Sequence, residues 1–123
     1  MAVILIVEDN VLIRTSVELM IQDLGHHALS GSDLNEALLL LRSPQQIDAL
    51  FTDIYLKTRV LGGCELADQA IQLRPELRVL YTTGNSVTDR MRDMFVKDAQ
   101  FLCKPYTQHQ LQDSIEQLLA VQL

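Results

Sequence analysis

The stretch LFTDIYL, residues 50–56, sets one carboxylate, Asp53, directly after a short apolar run and before a long irregular connection. A charge at the end of a buried strand is costly unless water, a counter-charge or a ligand meets it there. The position of Asp53 therefore asks for a reason in the fold.

Outward from this stretch, hydrophobic periodicity gives the order of elements. VILIV (3–7) is a continuous β-branched apolar run, as suits a strand buried on both faces. From Asn10, an N-cap, residues Ile13, Val17, Met20, Ile21 and Leu24 recur at helical spacing until Gly25 ends the segment. HALSG (27–31) reads as a weak second strand, and Ser32 or Asp33 caps a helix over 34–42 that Ser43 and Pro44 terminate. DALFTD (48–53) is then a strand, 64–73 a helix stopped by Arg74 and Pro75, LRVLYT (77–82) a strand, 86–95 a short helix and QFLC (100–103) the last strand. Thr107 opens a final helix with Leu111, Ile115, Leu118 and Leu119 on one stripe. Five strands alternating with five helices predict an α/β fold in one domain over 1–123. Its sheet is parallel and doubly wound, and the helices cover both faces.

Composition narrows the chemistry. At 123 residues and 48% hydrophobic, the chain can bury one core, and its charges are scattered. A net charge of −6 argues against direct nucleic-acid binding, which needs a basic face. AVILIV (2–7) is stopped at once by Glu8 and Asp9, so no membrane insertion is expected and a cytoplasmic location is. Cys64 and Cys103 lack metal-ligand spacing and are expected to be reduced; His26, His27 and His109 are expected on the surface or in turns.

In an open parallel sheet, ligands bind beyond the carboxyl ends of the strands. Asp53 lies at such an end, as do Glu8 and Asp9, Thr82 and Thr83, and Lys104. With the flavodoxin-like strand order 2-1-3-4-5, the first and third strands are neighbours and their three acids share a pocket. Such crowding persists when a cation joins it or one acid stays protonated. A hard cation such as Mg²⁺, or Mn²⁺, suits oxygen ligands and leaves room for phosphate oxygens. Lys104 then supplies a positive charge and Thr83 a hydroxyl, the parts that phosphoryl transfer to a carboxylate requires.

Taken together, ILIVEDN (4–10), LFTD (50–53), VLYTTG (79–84) and FLCKPY (101–106) resemble the receiver domain of bacterial two-component response regulators, in order and in spacing. The resemblance covers essentially the whole chain and implies a role for each position. Asp53 matches the phosphoacceptor, Glu8 and Asp9 the metal-binding pair, Thr83 the hydroxyl and Lys104 the phosphoryl-contacting lysine. It further implies that the Tyr55 carbonyl completes the metal shell, that Phe101 is an aromatic switch, and that the Lys104-Pro105 bond is cis. Tyr55 and Asn85 flank the site where phosphate lifetime is tuned, and bulky Tyr55 is expected to slow hydrolysis by obstructing water.

The implied activity is acceptance of a phosphoryl group from a histidine kinase or histidine phosphotransfer protein. Self-dephosphorylation would follow, without turnover of a separate substrate. A face made by the fourth helix, fifth strand and fifth helix would carry the signal to a downstream protein or to a second copy in a homodimer, with Met91, Met94 and Phe95 close to it. A single-domain regulator is favoured over a module cut from a hybrid sensor kinase. A pseudo-receiver acting only by binding is disfavoured by the intact acids, Thr83 and Lys104. A haloacid-dehalogenase-like phosphatase would want a second acid where Tyr55 stands, and an FMN carrier would suffer repulsion from Glu8 and Asp9. One departure from the pattern is Lys57, which stands where many receivers have proline. The connection 54–63 is about two residues longer than the compact form, and Lys57 and Arg59 are read as solvated charges near the pocket.

Overall fold

In the computed structural model, which describes residues 1–56 and 61–120, the run Val3–Val7 is β1 and is buried throughout. The Asn10 side chain accepts the N–H groups of Leu12 (3.0 Å) and Ile13 (3.1 Å) and starts α1, Val11–Asp23. His27–Gly31 is β2. Asp33 caps α2, Leu34–Arg42, by accepting the Glu36 N–H at 2.8 Å, so of the two expected caps the aspartate serves. There follow β3 (Ala49–Asp53), α3 (Gly62–Leu73), β4 (Arg78–Thr83), α4 (Asp89–Arg92), β5 (Gln100–Cys103) and α5 (Gln108–Ala120).

All strand pairs are parallel, in the order β2-β1-β3-β4-β5. Strand side chains alternate between faces, and two cores result. Ile4, Ile6, Phe51 and Leu80 meet Val17 and Ile21 of α1 and Leu111, Ile115 and Leu118 of α5. On the other face Leu5, Leu50, Val79 and Tyr81 meet Leu38 and Leu41 of α2 and Leu66, Ala67 and Ala70 of α3. Each fully buried leucine or isoleucine contributes roughly 1.5–3 kcal/mol. Among the described residues no helix is long and apolar enough to cross a membrane. Both cysteines are free, Cys64 buried and Cys103 exposed.

Three expectations need correction. The helix expected over 86–95 is a single turn, Asp89–Arg92. The Thr88 hydroxyl accepts the Met91 N–H (3.2 Å) and so delays the start. At the other end, Met94 N–H bonds to the Met91 carbonyl (3.0 Å) and Phe95 N–H to the Arg92 carbonyl (3.1 Å), tight turns that swing Phe95 inward. There Phe95 stacks on buried Tyr81 with ring centroids 4.2 Å apart, while Met94 stays exposed. The helix expected from residue 64 begins at Gly62. His26 is not a free surface group, because its Nδ1 accepts the Ala2 N–H at 3.0 Å and burial lowers its pKa. The expected charges Lys57 and Arg59 lie outside the described residues.

Candidate functional site

β1 and β3 are adjacent, with Val7 in register with Thr52, so the residues after both tips fall on one side of the sheet end. Glu8 and Asp53 are buried there, at 5% and 8% exposure, and Asp9 is half-buried. One carboxylate oxygen from each of the three lies within 4.8 Å of the others, a donor set able to hold a cation. Two backbone bonds place the neighbouring tips. Ile54 N–H donates to the Thr82 carbonyl (2.9 Å) and Lys104 N–H to the Thr83 carbonyl (3.0 Å), which pins the ends of β3 and β5 to β4.

The Lys104 ammonium stands between two of the acids, 2.7 Å from Glu8 Oε1 and 2.9 Å from Asp53 Oδ2. The remaining oxygens take backbone donors: Asn10 N–H to Glu8 Oε2 (3.1 Å) and Tyr55 N–H to Asp53 Oδ1 (3.2 Å). Burial pushes the Glu8 carboxyl up, with Asp53 adding to the rise, against the lowering effect of Lys104 and the Asn10 N–H. For Lys104, burial works downward, but the hydrogen bonds and charges of the two acids outweigh it and hold the ammonium above its usual range. Three ionised carboxylates and one ammonium leave two negative charges. All the donors are oxygens, so charge and chemistry both fit a hard divalent cation.

The other expected residues are at hand in different ways. Thr83 is buried, and its hydroxyl accepts the Asn85 N–H at 3.2 Å. The Thr82 hydroxyl is also buried and has no partner among the described residues. Phe101 is half-buried beside β4, its ring 6.3 Å from that of Phe95. The Lys104-Pro105 bond is cis. Tyr55 has its hydroxyl 3.8 Å from Met91 Sδ, which turns the ring toward α4.

Several contributors escaped the sequence reading. Arg14 Nη1 donates to the Glu8 carbonyl (2.8 Å), one helical turn beyond the cap at Asn10, where the spacing offered a signal. Gly63 packs so tightly under the site that a Cβ there would lie 2.0 Å from the Asp53 carbonyl oxygen. Tyr106 packs on Phe51 behind Lys104, and burial raises its hydroxyl to a pKa of about 12.

A doubly wound domain with three acids, a lysine and a threonine gathered at its strand tips has the architecture of a signalling receiver. The response regulator receiver domain family matches residues 4–116, and the chain belongs to that family, which operates in two-component signalling. It is similar to the response regulator receiver protein CpdR of Brucella abortus, 28% identical over 120 residues that make up 94% of this chain and 95% of that protein. Its fold matches a response regulator receiver protein from Sinorhizobium medicae (TM-score 0.88, 27% identity, 98% and 95% of the two chains). It also matches NtrX from Brucella abortus (TM-score 0.86, 29% identity), where 97% of this chain covers 27% of that larger one.

Proposed function

We propose that this receiver domain accepts a phosphoryl group on Asp53 from a phosphohistidine of a histidine kinase or phosphotransfer protein. The observation that carries this reading is the Lys104 ammonium shared by Asp53 and Glu8 at the edge of the three-acid cluster. In the step, an Asp53 carboxylate oxygen attacks phosphorus, the P–N bond breaks, and the imidazole nitrogen leaves with the electron pair. Lys104 neutralises charge on the acceptor and on a phosphoryl oxygen, and the Thr83 hydroxyl donates to another. Glu8, Asp9, Asp53 and the Tyr55 carbonyl would hold Mg²⁺ or Mn²⁺, which when bound offsets the charge on the phosphoryl oxygens. Water then cleaves the acyl phosphate, so the domain modifies and resets itself and turns over no separate substrate.

The added charge, about −1.5 to −2 by analogy with other phosphorylated side chains, draws Thr83 inward and leaves space for Phe101. The face of α4, β5 and α5 then changes for a downstream protein or a second copy. A cytoplasmic site of action accords with such donors. The test is phosphate incorporation from acetyl phosphate. Wild-type protein with Mg²⁺ should become labelled, whereas addition of a chelator or Asp53→Asn should abolish the label. Undiminished labelling of D53N would sink the assignment.

A further inference from the structure

Tyr55 touches the site and α4 at once. Its N–H donates to Asp53 Oδ1 at 3.2 Å, and its hydroxyl donates to Met91 Sδ at 3.8 Å. Met91 is the buried residue of α4 and the one whose N–H the Thr88 hydroxyl caps. A helix of four residues has too few internal bonds to hold itself and depends on tertiary anchors. Here the anchors are two tyrosines. Tyr55, from the tip of β3, holds Met91. Tyr81, from β4, stacks on Phe95 and accepts the Val96 N–H at 3.0 Å. Asp53 Oδ2 is engaged by Lys104, so the Tyr55 peptide bears directly on the other oxygen of the acceptor.

We propose that Tyr55 is a positioning residue that ties the state of Asp53 to α4 through its hydroxyl contact with Met91. The proposal rests on the phosphoacceptor reading of Asp53. In this proposal the Tyr55–Met91 contact is held while Asp53 is unmodified and released when it is modified. Breaking it therefore favours the modified state, and the coupling is reciprocal. Among the described residues Met91 makes no hydrogen bond to Lys104 or to the acids, yet its side chain should influence what binds at Asp53.

The experiment measures the affinity of the full chain for beryllofluoride with Mg²⁺, a mimic of the acyl phosphate, by fluorine NMR, alongside thermal unfolding. Met91→Leu keeps the volume and Tyr55→Phe keeps the ring and the N–H. Each is expected to tighten binding at least about twofold, and the double variant no more than the tighter single one, as two ends of one contact require. Met94→Leu, on the exposed side, should leave affinity unchanged. Independent multiplication of the two effects would overturn the tie, as would thermal midpoints that move while affinity does not. Wild-type protein that fails to bind beryllofluoride would overturn the phosphoacceptor reading itself. Binding by wild type with no change in either variant overturns the tie alone.

Discussion

Lys104 is the counter-charge of two buried acids, so removing it exposes what the cluster costs. In Lys104→Met, Glu8 and Asp53 stay at the pocket without their ammonium. Stability should fall by about 2 kcal/mol at neutral pH, between the values for exposed and fully buried pairs. Millimolar Mg²⁺ should restore part of the loss, which chemical denaturation with and without the ion will measure. Thr82 presents the opposite case, a buried hydroxyl without a partner among the described residues. Thr82→Val keeps the shape and should raise stability by about 1 kcal/mol in the same assay. Thr83 was preferred to Thr82 for its place before Gly84. The direction of the Tyr55 ring was not legible, because nothing local decides where a side chain on a loop turns.

At the level of elements, the strands and long helices were readable because β-branched runs and helical stripes match the faces they bury. β1, β2 and α2 stand within the expected residues, and β3 and β4 within one residue of them. α4 was not, since Tyr81 captures both the Phe95 ring and the Val96 N–H and draws the chain out of helix after one turn. The early start of α3 was hidden for a related reason. Gly62 and Gly63 are poor helix formers, and they are helical here because α3 closes against the backbone at the end of β3. Gly63→Ala drives a methyl into the Asp53 carbonyl and the Ile54 Cα, neither of which can yield as a side chain would. A loss of about 3 kcal/mol or more is expected. An unfolding midpoint equal to wild type would show that α3 can shift away from β3 at little cost.

For the whole molecule, three groups give alkaline pH a common sign. Burial raises the hydroxyls of Tyr81 and Tyr106 from 10.0 to about 12, and the acids around Lys104 hold its ammonium above 10.5 despite burial. Each keeps its proton in the fold to higher pH than in the unfolded chain. The stabilisation from the two tyrosines is therefore complete below about pH 10 and is lost as pH rises toward 12, and the Lys104 contribution is likewise lost as pH rises through its raised range. Thermal midpoints should decline across that window, and Tyr106→Phe should flatten the decline; an identical slope in the variant would remove Tyr106 from the account. The sheet order was legible through the flavodoxin-like order that the alternation of strands and helices suggested, and β1 and β3 are the neighbours that order requires.

The most direct measurement locates the phosphoryl group itself. Protein exposed to acetyl phosphate and Mg²⁺ is reduced with borohydride, which converts an acyl phosphate on aspartate to homoserine, and its peptides are sequenced by mass spectrometry. Homoserine at position 53 and at no other is the predicted result. Homoserine at position 9, or an unmodified chain after full exposure, would contradict it.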